Sequence, residues 1–286
     1  MTSKAFRLKL PAVRTTSVIF ASPHSGHDYS RSFLNRSVLD QYAIRSSEDA
    51  FVDLLFADAP LFGAPLMMAN SPRAYLDLNR SADELDPALI EGLRRGGHNP
   101  RVASGLGVVP RVVANGQSIY RGKISRADAD ERLSTIWAPY HHQLQQLISQ
   151  SHSQFAEAIL IDCHSMPHEA IETISHGKGG RPDIVLGDRY GAAAGSEVVE
   201  QVEAAFACAG LNVVRNAPFA GAYTTEHYGL PSREQHVVQV EINRSLYMNE
   251  RTIEPNGNFD AFRTLISGVV RDLAGIGYAD LPLAAE

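Results

Sequence analysis

Cysteine is scarce in this chain. Cys163 and Cys208 are the only two among 286 residues, too few for a disulfide framework and in keeping with a reducing cytoplasm. Long apolar runs are missing too: none approaches the length that spans a bilayer, and the opening MTSKAFRLKLP lacks the apolar core of a signal peptide. A cytoplasmic protein with no membrane partner is expected. There is no basic excess either. With 26 Lys and Arg against 32 Asp and Glu, the formal charge is -6, so phosphates meet no basic stripe and nucleic acid is not an expected partner. No repeat, linker or low-complexity tract divides the sequence, which makes residues 1–286 one expected domain, long enough to bury a sizeable core.

What the chain does have is a recurring strand design. In Ala158–Pro167, AILIDCHSMP, three aliphatic residues run straight into Asp162, Cys163 and His164 and stop at a proline. Val18-Ile19-Phe20 leads into Ser22-Pro23-His24-Ser25-Gly26, and Val237-Val238-Gln239-Val240 leads into Glu241-Ile242-Asn243-Arg244. A core strand that delivers polar groups at its end is how α/β proteins present chemistry. If the three share one sheet and end on one side, two histidines and a glutamate converge.

The remaining elements follow from periodicity and punctuation. An entry strand or hairpin and then the first core strand are predicted within residues 5–22. Further strands are predicted over Phe62–Met68, Asn70–Arg80, Asp183–Gly187 and Leu211–Val214. Helices are predicted over Ala50–Phe56, with Ser46 and Asp49 spaced as a capping box, and over Ser125–Ser153 with a break or kink at Pro139. Two more are expected over Ser196–Ala209, ending at Gly210, and over Asp260–Ala274. Residues 81–118 read as a loop excursion beside the site, and 168–181 and 216–231 as loops. Strands alternating with helices predict an α/β fold, a three-layer α/β/α sandwich around a mixed, mainly parallel sheet.

Several residues could carry chemistry, and each has an ordinary alternative. His24 could be a surface histidine in a tight turn, and Asp162 and His164 could simply bond loop backbone; Asp162 could equally orient a metal-bound imidazole. Two histidines need a third ligand to make a hydrolytic zinc site, and Asp49, Glu48 and Asp28 are the candidates. Glu241 stands in an apolar strand where an unpaired carboxylate is costly, so either an arginine holds it or it is a general base with a tuned pKa. Arg73 and Arg80 offer forked cations to carboxylates or an oxyanion, or make salt bridges. Cys163 points away from its neighbour His164 and is read as core. His98, His141, His142, His152, His168 and His176 are mostly expected in solvent.

Taken together, the motifs resemble the N-formylglutamate amidohydrolases (N-formylglutamate deformylases). The resemblance lies in S-P-H-S-G at Ser22–Gly26, E-D-A-F-V-D at Glu48–Asp53, D-L-N-R at Asp77–Arg80 and D-C-H-S-M at Asp162–Met166. It continues in Gly221-Ala222-Tyr223 with His227-Tyr228-Gly229, and in Q-V-E-I-N-R-S-L-Y-M-N-E at Gln239–Glu250. That family is similar to the zinc carboxypeptidase and aspartoacylase fold, of phosphorylase/hydrolase type. The resemblance implies one zinc ion per chain held by His24, His164 and a carboxylate from Glu48-Asp49, with Asp49 preferred. It implies Glu241 as general base and acid, Arg73 as the group polarising the scissile carbonyl, Asn79 and Arg80 as the substrate-carboxylate pair, and Tyr223 on a closing loop. The implied reaction is hydrolysis of N-formyl-L-glutamate to formate and L-glutamate, in histidine degradation. Two departures stand out: Ala222 where a second glycine is expected before the tyrosine, and His27 as an extra imidazole near the site. The residues alone also fit a hydrolase of another N-acyl amino acid, a carboxypeptidase-like enzyme, or a non-catalytic metal- or anion-binding protein.

Overall fold

Seven strands form one sheet in the computed structural model, which describes residues 5–94, 99–172 and 181–277. They are β1 (Phe6–Lys9), β2 (Val18–Ser22), β3 (Leu66–Ala69), β4 (Ala158–Met166), β5 (Ile184–Gly187), β6 (Val213–Arg215) and β7 (Gln235–Asn243). Their order across the sheet is β1-β3-β2-β4-β7-β5-β6. The central four, β3, β2, β4 and β7, are mutually parallel, whereas β1 and β5 run antiparallel to their central neighbours. The mixed, mainly parallel α/β/α arrangement is therefore as the alternation of elements predicts.

Both faces of the sheet are buried, which is why its strands read as unbroken apolar runs rather than alternating ones. Val18, Phe20, Ile159, Ile161, Cys163, Val238 and Val240 face a core closed by helices Ser196–Cys208 and Phe259–Ile276. Ile19, Ala21, Leu160 and Val237 face a second core closed by helix Ala138–Phe155 and by parts of residues 74–124. Cys163 is core, as its strand parity implies. β2, β4 and β7 end on one side, and the long β4–β7 register sets His164 directly beside Glu241.

Several local expectations differ from the structure, each for a physical reason. β1 pairs with β3 and not with β2, so residues 5–22 form no hairpin. The helix expected over Ala50–Phe56 shrinks to Val52–Leu55, because Phe51 sits in the left-handed region at φ 67. Ser46 and Asp49 make no capping box: the Ser46 hydroxyl donates to the Ala43 carbonyl, and Asp49 turns into the site. The Asn70–Arg80 strand does not form. Pro72 starts a turn whose carbonyl accepts from Tyr75 and Leu76, and the Asp77 carboxylate then caps the Asn79 N–H. The excursion 81–118 is packed as well as adjacent, burying Leu89, Ile90, Val108, Val109 and Val113.

Pro139 does not break the long helix. Arg126–Arg132, capped by the Ser125 hydroxyl, continues through one π-helical turn, Leu133–Trp137, into Ala138–Phe155. The wider turn accommodates the missing proline N–H, and it places the Trp137 indole to donate to the Arg80 carbonyl at 2.9 Å. The loop 216–231 contains a helix of its own, Tyr223–Tyr228, and 168–181 opens with a turn over Glu169–Glu172. His98, His176 and most of the predicted 168–181 loop lie outside the described residues.

Candidate active site

The site stands at the C-terminal ends of β2, β4 and β7. After β2, the turn Ser22–Gly26 runs so close to residues 70–71 that a Cβ at Gly26 would collide with the Ser71 carbonyl oxygen, and this contact fixes His24. The next approach comes from Asp49, whose N–H donates to the His24 carbonyl at 3.0 Å. Two residues later comes Phe51, a bulky residue held at positive φ against the Phe259 ring. Left-handed backbone at such a residue costs free energy of order 1–3 kcal/mol, and here it turns the chain away directly after the aspartate.

Asp49 and the two histidines form a buried cluster. Asp49 Oδ2 lies 3.0 Å from His164 Nδ1 and 3.5 Å from His24 Nδ1. The opposite ring nitrogens are tied back: His24 Nε2 donates to Asp77 Oδ1 at 2.7 Å, and His164 Nε2 lies 3.1 Å from Asp162 Oδ2. Carboxylates on the outer nitrogens fix ring orientation and leave the inner nitrogens for a shared ion, the usual construction of a histidine metal site. His24 Nδ1 is buried with no hydrogen-bond partner among the described residues, and an inward-facing acceptor of that kind is what a metal would satisfy. Two imidazoles and one carboxylate are a common ligand set of hydrolytic zinc, so the residues present fit that ion.

Charge supports the same reading. Burial by itself would raise the Asp49 pKa, but the bond to His164, the nearness of His24 and the charge of Arg244 outweigh it and hold the carboxyl well below its ordinary value. Burial would lower the pKa of His164, yet Asp162 and Asp49 drive it well above the ordinary value. The pocket between these carboxylates thus already stabilises positive charge. Glu48 takes no part, since Arg45 and the Tyr29 hydroxyl bind its carboxylate.

Glu241 lies beside the cluster with a hydrogen bond from Gln239 Nε2 at 2.8 Å. Burial, with the Asp49 charge adding, raises its pKa from 4.5 to about 7 against the opposing effects of His164, Arg73 and Arg244. Among the described residues no arginine is hydrogen-bonded to it: Arg73 Nε donates to Asp77 Oδ2 at 3.0 Å, and Arg244 Nη2 donates to Asp49 Oδ1 at 2.8 Å. Arg80 is buried, with Nε on the Leu106 carbonyl at 3.1 Å and Nη1 on the Asn79 carbonyl. Asn79 spends its side chain inside the protein. Its amide donates to Asp162 and Gln239, and its carbonyl accepts from the Thr224 N–H at 2.7 Å.

His24, Asp49, His164, Glu241, Arg73, Asn79 and Arg80 all line one cleft of about 590 Å³. Tyr223 is not among its lining residues. Its ring stacks on His227 at 5.0 Å and stands edge-on to His141. The cleft wall here is Pro218–Ala222 instead. Ala222 adopts φ -122, open to any residue, whereas Gly221 at φ +112 needs glycine, so the departure at Ala222 leaves the loop intact. His27 is exposed and bonds the Ser25 carbonyl, away from the cleft. His141 is not in solvent: it is buried between the Tyr228 hydroxyl and the Leu78 carbonyl, and burial lowers its pKa to about 3.

Asp77, Gln239 and Arg244 belong to the site without having been singled out by the sequence. Asp77 lies between two leucines and Gln239 among valines, the same signal of a polar group in an apolar run that marks Glu241.

A family model described as N-formylglutamate amidohydrolase matches residues 16–248. The N-formylglutamate deformylase of Pseudomonas aeruginosa is 28% identical over 239 residues, covering 82% of this chain and 83% of that protein. The enzyme of the same name from Pseudomonas putida is 28% identical over 236 residues, covering 82% of each. The crystal structure of an N-formylglutamate amidohydrolase from Ralstonia eutropha JMP134 superimposes with a TM-score of 0.87 at 30% identity, covering 95% of this chain and 98% of that one.

Proposed function

The chain belongs to the N-formylglutamate amidohydrolase family, and on that premise we propose that it hydrolyses N-formyl-L-glutamate to formate and L-glutamate with one zinc ion. The observation that supports this most is a buried carboxyl poised near neutrality, Glu241, set across one strand pair from the His24–Asp49–His164 cluster. Held by His24, Asp49 and His164, zinc would supply the Lewis acidity that activates water and polarises an amide carbonyl. Glu241, with a pKa of about 7, takes a proton from the attacking water and returns one to the leaving nitrogen. Arg73, anchored through Nε to Asp77, turns its remaining N–H groups to the oxygen on which charge develops. Arg80, its guanidinium held by two backbone carbonyls, grips a substrate carboxylate in a pre-set orientation. Asn79 positions His164 through Asp162 and pins the 222–224 backbone. In this reading residues 1–286 are one catalytic domain acting in the cytoplasm, in histidine degradation; Cys163 and Cys208 are both free.

The test is formate release from N-formyl-L-glutamate, with N-acetyl and peptidyl analogues beside it. We expect formate and glutamate in equal amounts, activity lost to a chelator and restored by zinc. Preference for an acetyl or peptidyl substrate, or full activity in metal-free protein, would refute it.

A further inference from the structure

The acids lining the cleft are matched. Asp49 is held by Arg244 and the histidines, Asp77 by Arg73 and His24, and Glu241 by Gln239. The bases are not. With Arg73 and Arg244 paired, Arg80 has, among the described residues, only backbone carbonyls as hydrogen-bond acceptors and Asp77 at a distant 4.0 Å. Arg101, which also lines the cleft, has no acceptor for its side chain among the described residues.

One stretch of chain builds this wall. Asn99 caps the turn Pro100–Ala103 by accepting from the N–H groups of Arg101 and Val102, and its amide donates to Glu84. A few residues on, the Leu106 carbonyl fixes Arg80, and Leu106, Val112 and Val113 add an apolar surface to the cleft. Two guanidinium groups with an apolar surface alongside therefore face the same space. Burial lowers the Arg80 pKa, and the nearby charges of Arg73 and Arg101 lower it further against the pull of Asp77. An anion bound between Arg80 and Arg101 would relieve that repulsion.

We infer that Arg101 is the specificity-determining residue for a second substrate carboxylate: Arg80 holds the carboxylate beside the scissile amide, Arg101 holds the one at the end of the side chain, and the cleft selects N-acyl amino acids that carry both. The inference rests on the hydrolytic reading above. It makes the methylenes between the carboxylates lie on Leu106 and Val112.

The experiment compares kcat/KM for N-formyl-L-glutamate and N-formyl-L-glutamine, isosteres that differ by one charge, in the wild-type protein, Arg101→Gln and Arg101→Lys. Losing a charge-assisted contact to a carboxylate is worth about 10- to 100-fold. We expect the wild type to prefer the glutamate derivative by that factor, the preference to collapse towards unity in Arg101→Gln through KM rather than kcat, and Arg101→Lys to recover part of it. A merely structural arginine would slow both substrates alike. Equal wild-type kcat/KM for the two substrates, or discrimination unchanged in Arg101→Gln, overturns the assignment of Arg101 alone. No formate from either substrate sinks the hydrolytic reading, and the inference with it.

Discussion

Replacing Glu241 with glutamine should slow turnover by orders of magnitude and, in metal-free protein above neutral pH, stabilise the fold. The carboxyl is buried, accepts from Gln239 Nε2 at 2.8 Å, and has its pKa raised from 4.5 to about 7. A shift of that size favours the protonated form in the folded state by about 3 kcal/mol. For an acid with a raised pKa, ionisation works against folding. The penalty is absent below about pH 4.5, grows as the pH rises, and is complete above about pH 7. Glutamine keeps the size and can still accept from Gln239, but never ionises. Chelated Glu241→Gln should thus exceed the wild type by no more than about 1 kcal/mol near pH 5 and by up to about 3 kcal/mol at pH 8, a rise of several degrees in Tm. Removing a general base and acid should slow turnover by about 10²- to 10⁴-fold, with zinc content unchanged. Circular-dichroism melts from pH 5 to 8.5, metal analysis and formate release give the three readouts. A variant no more stable than wild type at pH 8, or one that turns over at the wild-type rate, would refute the reasoning.

Asp77→Asn removes the charge that orients His24 and pairs with Arg73; zinc affinity measured by calorimetry should fall about 10- to 100-fold, and an unchanged affinity would count against a supporting role. Arg244→Met takes away the guanidinium on Asp49 Oδ1 and leaves the buried carboxylate to the two histidines, so denaturant unfolding should show a loss of about 1–3 kcal/mol, smaller when zinc is present. Gly26→Ala drives a methyl group into the Ser71 carbonyl; it should cost about 1–3 kcal/mol and weaken zinc binding more than the distant Gly257→Ala, whose added Cβ meets open space.

What could be read from the sequence was whatever lies on one strand. Ile159–Ile161 and Val237-Val238 are apolar on both faces because both faces are covered, so the polar groups beyond them, His164 and Glu241, stand out. The helix expected from Ala50 starts only at Val52 because tertiary packing, the Phe259 ring included, holds Phe51 in a left-handed turn; no local propensity would put a phenylalanine there. Residues 70–80 alternate like a strand, yet their ladder bonds go to a turn at Pro72 and to the Asp77 carboxylate. The jobs of Asp77, Gln239 and Arg244 are relations between segments far apart in the chain, and period and spacing report only on neighbours. Arg101 gave no signal at all: one exposed arginine in an irregular stretch resembles any other until Arg80 is seen beside it in the cleft.

His164 and Asp49 are 115 positions apart, and His24 reaches them from the end of another strand. No local hairpin or single helix can assemble this cluster. Parallel β2 must first find β4 across a long intervening stretch, and contacts of that range are among the slowest to form in folding. Ion capture should accordingly be a late event, a latch rather than a nucleus. Zinc should lengthen the lifetime of the folded chain by slowing unfolding, and leave the rate of refolding nearly untouched; stopped-flow traces in which zinc speeds refolding would show that the cluster gathers early.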